Sequence, residues 1–366
     1  MSQSAPMAVI TGLRARPVMS PLSVPLQTAS GSVEVAPLVL VDLQTDQGVV
    51  GHSYLFAISA AHLKPIIALL EAMAEMIDRR PLAPFELERE LRRRYALLGV
   101  HNIVLFALSA IDMAAWDAMA KLAGKPLVSL LGGRPGPVRA YNSKGLGLLP
   151  HDALGAQARA LLDEGFGAVK MRMGRARAED DLLALRLVRE AIGPDTTLMC
   201  DFNQGLNVNE AIRRGRMLDE QGGLLWIEEP IRADDFAGCA RVAQALATPI
   251  SLGENFMGPE QMAQALAHDC CDFVMPDVQR IGGVSGWLRA AALAQARDLD
   301  MSSHLFPEIS AHLLAVTPTA HWLEYVDWAV PVLRHAPRIE DGHLIIDERP
   351  GSGVDWDEQA IARYLV

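Results

Sequence analysis

The chain has 366 residues, half of them apolar and 21% charged, enough apolar material for roughly two domains, or for one large barrel with an accessory unit. Lys and Arg number 33 against 44 Asp and Glu, a formal charge of −11, which excludes nucleic acid and anionic membrane as expected partners because both need a positive footprint. No apolar run reaches the ~18 residues of a membrane span, no leader-like segment opens the chain, and Cys200, Cys239, Cys270 and Cys271 lack metal or redox spacing, so reduced thiols in a cytoplasmic protein are expected.

Residues 1–60 read as strands. The apolar run 36–43, the turn Asp46-Gln47-Gly48 and the run 49–54 predict a hairpin. Residues 61–77 and 104–124 carry apolar positions at spacings of three and four and predict helices. The second is apolar nearly all round and should be buried. The basic run 89–94 reads as the solvated face of a helix. Gly-Gly-Arg-Pro-Gly-Pro at 132–137 is a cluster of breakers and marks a domain boundary. Beyond it, short apolar segments at 168–173, 197–203, 224–230, 249–255, 272–277, 300–304 and 322–325 alternate with amphipathic helical stretches such as 181–193, 209–222 and 259–269. Repeated β-then-α units imply parallel strands with right-handed crossovers, and this many in about 200 residues fit a (β/α) barrel.

What ends each predicted strand is informative. The last inward-capable positions are Lys170, Asp201, Glu228, Glu254, Asp277, His304 and Glu324, spaced by 31, 27, 26, 23, 27 and 20 residues, the length of one βα unit. In a barrel such strand ends converge on one mouth. Asp201, Glu228 and Glu254 come from consecutive strands, and three neighbouring carboxylates repel unless a cation holds them. Oxygen ligands without thiolate or imidazole favour Mg²⁺, with Mn²⁺ a second choice. Asp277 beside His304 makes a base dyad, because a carboxylate on one imidazole nitrogen raises the basicity of the other. Lys170 and Arg172 share a strand face. Glu324 would donate a hydrogen bond to a substrate carboxylate if burial raised its pKa. Together these groups suit abstraction of a proton next to a carboxylate, a step that needs stabilisation of an enediolate.

On these residues the sequence resembles the enolase superfamily, and within it the mandelate racemase subgroup. The resemblance is carried by Val169-Lys170-Met171-Arg172, Cys200-Asp201-Phe202-Asn203-Gln204, Trp226-Ile227-Glu228-Glu229-Pro230, Gly253-Glu254-Asn255, Met275-Pro276-Asp277 and Met301-Ser302-Ser303-His304-Leu305-Phe306. It extends through 36–56, 109–133 and 309–324, so it covers almost the whole chain. The resemblance implies an α/β protein, a modified (β/α) TIM-type barrel with an α+β capping domain. Residues 1–132 would form the cap, 133–335 the barrel, and 336–366 a segment returning to the cap. It further implies Asp201, Glu228 and Glu254 as Mg²⁺ ligands and Asn203 as substrate support. Lys170 would polarise the substrate carboxylate, His304 with Asp277 would be a base, and Glu324 an electrophilic acid. Ser143 is a weaker substrate contact. Family members are commonly even-numbered homo-oligomers.

One position departs from the family pattern. Racemases of the subgroup carry Lys-x-Lys, whose second lysine is the base on the face opposite the histidine, and here that position is Arg172. A guanidinium stays protonated, so it clamps an anion well but accepts protons poorly. Two-base racemisation is therefore in doubt, while one-base dehydration of an acid sugar survives. Leu26, Val33 and Ile58 would present an apolar wall better suited to an aryl or alkyl group, whereas Lys144 would offer a polar contact. The expected function is Mg²⁺-dependent α-proton abstraction from a 2-hydroxycarboxylate, ending in dehydration or racemisation. The alternative is a non-catalytic metal- and carboxylate-binding relative.

Overall fold

The computed structural model describes residues 7–29 and 31–366. The first layer is a three-stranded antiparallel sheet of β1 (Ile10–Thr28), β2 (Gly31–Thr45) and β3 (Val50–Phe56), in that order. β1 tolerates Pro17, Pro21 and Pro25 because it is an edge strand and needs no donors on its outer side. The central strand β2 is buried from Ala36 to Leu43. β2 and β3 pair from Leu38–Phe56 to Gln44–Val50, the hairpin expected around Asp46-Gln47-Gly48. The sheet packs on α1 (Leu63–Ile77) and α3 (Asn102–Leu122), with α2 (Pro84–Arg94) alongside. β3 lies so close to α3 that a Cβ at Gly51 would meet the Ala114 carbonyl at 2.0 Å. α3 is the one helix among the described residues long and apolar enough to cross a membrane, and it is buried inside the protein.

After the short helix α4 (Leu127–Leu130), strands and helices alternate. They are β4 (Pro137–Asn142), α5 (His151–Leu162), β5 (Ala168–Arg172), α6 (Ala178–Ile192), β6 (Thr197–Asp201), α7 (Val208–Gln221), β7 (Ile227–Glu228), α8 (Phe236–Ala245), β8 (Ile250–Leu252), α9 (Pro259–Leu266), β9 (Phe273–Val274), α10 (Gly283–Ala296), α11 (Pro307–Leu314) and β10 (Leu323–Tyr325). β4 to β9 are parallel neighbours. The residues around 301–304 form bridges only, Val274 to Met301, Asp277 to His304 and Met301 to Ala320. β10 then pairs with β4, which closes the ring. Most strands are shorter than their apolar runs suggest: β7, β8 and β9 have only two or three residues. Glu254 and Asp277 lie two and three residues past the ends of β8 and β9.

Cap and barrel are tied by buried polar contacts. Asp112 of α3 accepts from the backbone N–H and the hydroxyl of Ser285, at 2.9 and 2.5 Å, so a cap carboxylate satisfies open donors in the first turn of α10. The C-terminal segment differs in its first part from the expected return to the cap. β11 (Arg338–Glu340) and β12 (His343–Ile345) form a hairpin that adds to β4 of the barrel. Contacts with the cap begin further on, with Ser352 on Asp117, Trp356 on Asp42, and Glu358 on Arg16, followed by α12 (Glu358–Tyr364).

Candidate active site

The residues that end the barrel strands meet in one cluster. Register places Arg172 beside Asp201, Asp201 beside Glu228, and Asp277 beside His304. Lys170 is buried at the centre, its Nζ 2.5 Å from Glu228 Oε1, 2.9 Å from Glu324 Oε1 and 3.5 Å from Asp201 Oδ2. Ligand atoms of Asp201, Glu228 and Glu254 lie within 4.8 Å of one another. Asn203 donates from its side chain to Asp201 at 2.8 Å and from its backbone at 2.7 Å. Across the cavity, His304 Nδ1 sits 2.7 Å from Asp277 Oδ2, and the other Asp277 oxygen accepts from the N–H groups of Gln279 and Arg280. That network assigns the proton to Nδ1 when the ring is neutral and leaves Nε2 as the basic atom. Nε2 is 3.5 Å from Glu254 and 3.9 Å from Glu324.

The charge states follow from crowding. Burial works against the Lys170 ammonium, but Glu228 and Glu324 outweigh it and hold its pKa well above the ordinary value. Burial raises the carboxyl pKa values of Asp201 and Glu228, with Glu254 adding to both despite the opposing pull of Lys170. Glu254 goes the other way, since His304, Lys170 and Arg280 overcome its burial. Burial depresses His304, yet Glu254, Glu324 and Asp277 lift it to about 9. The neighbouring Glu229, capped by Asn255, is pushed well above the carboxylate range by burial and by Glu254.

This donor set fits a hard divalent cation. Three basic side chains, Lys170, Arg172 and Arg280, face five carboxylates at Asp201, Glu228, Glu254, Asp277 and Glu324, and Glu254 adds to the burial that raises Asp201 and Glu228. Three carboxylates whose oxygens converge, with no thiolate among them, match Mg²⁺. Neutralising Glu254 would also withdraw the largest influence that holds a second proton on His304.

Three sequence expectations need correction. Glu324 is not kept protonated by burial, because Lys170, His304 and Arg172 together outweigh it and hold the carboxyl below its usual range. Its oxygens accept from Lys170, from Ser143 Oγ at 2.6 Å and from the Leu305 N–H at 2.9 Å. Ser143 therefore reaches Glu324 and does not line the cavity. Lys144 also lies away from the cavity, with its ammonium 2.8 Å from Glu164 and 3.3 Å from Asp327. Arg172 does reach the cavity, but its Nη1 donates to the carbonyls of Ser143 at 2.8 Å and Gly145 at 3.3 Å.

The cavity holds about 300 Å³, the small end of ligand pockets. Leu26 and Val33, cross-strand partners on β1 and β2, and Ile58 line it from the cap. Phe56, Gln279, Arg280, Leu305 and Trp328 also line it, and sequence reading missed them. Their elements are loops or strand ends without a repeating pattern, so only the nearness of Gln279 and Arg280 to Asp277 and of Leu305 to His304 could have flagged three of them.

Comparison with known proteins gives one consistent result. Residues 10–132 match the N-terminal domain of mandelate racemase and muconate lactonizing enzyme, and residues 153–360 match the enolase C-terminal domain-like family. L-talarate/galactarate dehydratase of Salmonella typhimurium is 38% identical over 267 residues, 72% of this chain and 67% of that one. The structure of an enolase from an alphaproteobacterium, bal199, with bound Mg superposes with a TM-score of 0.96 at 44% identity, covering 98% of this chain and all of the other. One from Bradyrhizobium, complexed with magnesium and mandelic acid, gives 0.95 at 42% identity, covering 99% of this chain and 100% of the other. With both domain models matched along one chain, the protein belongs to the mandelate racemase/muconate lactonizing enzyme family of the enolase superfamily.

Proposed function

We propose that the protein abstracts the α-proton of a 2-hydroxycarboxylate in a Mg²⁺-dependent reaction, with Nε2 of His304 as the base. The observation that carries this reading is one imidazole, fixed by Asp277 at 2.7 Å, facing the carboxylate–lysine cluster within a single cavity. Asp201, Glu228 and Glu254 hold the cation, which when bound supplies positive charge against which the charge of the deprotonated substrate can build. Lys170, kept charged by Glu228 and Glu324, points its ammonium at the same region and stabilises the substrate carboxylate as negative charge moves onto it. Asn203 supports the substrate beside Asp201. Glu324 positions Lys170 and the Leu305 N–H as a carboxylate acceptor.

Only one face of the α-carbon meets a base. On the other side the cavity offers Arg172, a guanidinium that is a poor proton acceptor and whose Nη1 is held by the Ser143 and Gly145 carbonyls. The geometry therefore favours elimination over racemisation, in line with a relative named as a dehydratase. The test is α-proton exchange in D₂O, followed by NMR for each enantiomer of a 2-hydroxy acid. One enantiomer should exchange, and Arg172→Lys should bring slow exchange of the other. Equal exchange of both by the unaltered protein would overturn the one-base reading.

A further inference from the structure

The side chains around the α-carbon site split into a charged floor and an apolar wall, and the wall is pre-built. Leu26, Val33, Phe56, Ile58, Leu305 and Trp328 line the cavity. The Phe56 and Trp328 rings lie 4.8 Å apart. Gln279 fixes Phe56 as a neighbouring strand would, accepting from its N–H at 2.8 Å and donating to its carbonyl at 3.2 Å. Trp328 is tied to the cap by the Ser20 hydroxyl, which donates to its carbonyl at 2.6 Å. Ile58 sits at the tip of a three-residue turn, closed by Ser59 N–H to the Ala57 carbonyl at 2.7 Å, with φ at 66°. Ile58 is 48% exposed there, at the rim of the wall.

Few polar groups stand next to that wall. The Gln279 amide is used by Phe56, the Arg172 Nη1 donates to two carbonyls, and the hydroxyls of Thr28 and Ser32 lie at its Leu26–Val33 edge. A polyol chain laid on the Phe56, Leu305 and Trp328 side of this wall would lose water from its hydroxyls without replacement, and each unsatisfied hydroxyl weakens binding. An aryl or alkyl group would gain by burial. A monohydroxy aryl acid nevertheless gives a one-base site nothing to eliminate.

We infer that the substrate is a 2,3-dihydroxycarboxylate bearing an aryl or similar apolar group at C3, dehydrated to the corresponding 2-keto acid. The inference rests on the α-proton abstraction proposed above. His304 Nε2 takes the α-proton, and the C–H electron pair moves into the carboxylate as the enediolate. Its return forms the C2–C3 double bond and breaks the C3–O bond, and the departing hydroxide takes the proton from the imidazolium as water. The enol then tautomerises to the keto acid, with no oxidant or reductant needed.

The experiment offers the Mg²⁺-loaded protein each stereoisomer of 2,3-dihydroxy-3-phenylpropanoate, with galactarate, gluconate and mandelate in parallel. Keto-acid formation and α-deuterium incorporation are both followed. The expected result is phenylpyruvate from one C2 configuration, with kcat/KM at least about 100-fold above either sugar acid, as a site with unmatched polar groups discriminates. Mandelate should exchange one enantiomer's α-proton and form no product. A preference for galactarate or gluconate, or phenyl-substrate exchange without loss of water, would overturn the inference while leaving α-proton abstraction intact. Absence of exchange with every acid would remove the underlying reading as well.

Discussion

Along β5, β6 and the run into β7 an apolar residue is followed two positions on by a charged one: Ala168 and Lys170, Met199 and Asp201, Trp226 and Glu228. The first members join Tyr141 and Trp322 in a separate buried cluster at the lower end of the barrel. The second members build the mouth. Both sets are almost fully shielded from solvent, so burial alone separates neither function nor stability. Below, burial removes apolar surface from water and stabilises the fold. Above, the same burial forces like charges together, raises the Asp201 carboxyl and lifts that of Glu228 well above its ordinary value. Side-chain alternation along one strand thus places a stabilising plug directly under a region that needs a cation to be at rest.

The sharpest break between the regions comes from His304→Asn. It should leave the fold and Mg²⁺ binding in place and lower α-proton exchange by about 10³–10⁴-fold, the range of a lost general base. Isothermal titration beside NMR exchange measures both. Asp201→Asn should also abolish exchange and weaken Mg²⁺ binding, yet raise the melting temperature of the metal-free protein, because a desolvated charge leaves the cluster. A lower melting temperature in EDTA would show that the mouth is not strained by its own carboxylates. In the plug, Met199→Ala, two residues away on the same strand, should cost about 2–5 kcal/mol in denaturant unfolding and leave the exchange rate within about threefold, an effect under 1 kcal/mol.

A smaller effect separates the mouth from buried acids elsewhere. Asp112 and Glu308 are each raised to about 7, chiefly by burial. Asp112 is held by Ser285, and Glu308 accepts from the Tyr54 hydroxyl at 2.7 Å. Their folded pKa values exceed the unfolded ones, so the stability they contribute is present at low pH and declines as pH rises from about 4 through about 7. Unfolding of the Mg²⁺-saturated protein compared with Asp112→Asn across that range should show a difference changing by roughly 1–3 kcal/mol, since moving one titration by a single pH unit is worth ~1.4 kcal/mol before relaxation. Unlike the charge crowding at the mouth, this difference should persist in saturating Mg²⁺.

Much of this arrangement is legible in the sequence because two periodicities coincide. A βα unit of 20 to 31 residues spaces the seven groups, and alternation by two puts every one except His304 over an apolar residue. What was not legible depends on partners brought from far along the chain. The charge of Glu324 depends first on Lys170, 154 residues away, and then on His304 and Arg172. Lys144 turns from the cavity because Glu164 and Asp327 are better placed to bind it. Gln279 looks like any loop amide until the cap delivers the Phe56 backbone to it. The 300–304 segment reads as a strand but makes only isolated bridges, enough to set His304 beside Asp277.

The central claim, a cation-dependent mouth with a single base, is tested most directly by α-deuterium incorporation into the separate enantiomers of mandelate, with metal-free protein titrated with Mg²⁺. Such a mouth predicts no exchange in EDTA, exchange of one enantiomer that saturates with Mg²⁺, and its loss in His304→Asn. Exchange that persists without metal, or survives that substitution, would contradict it.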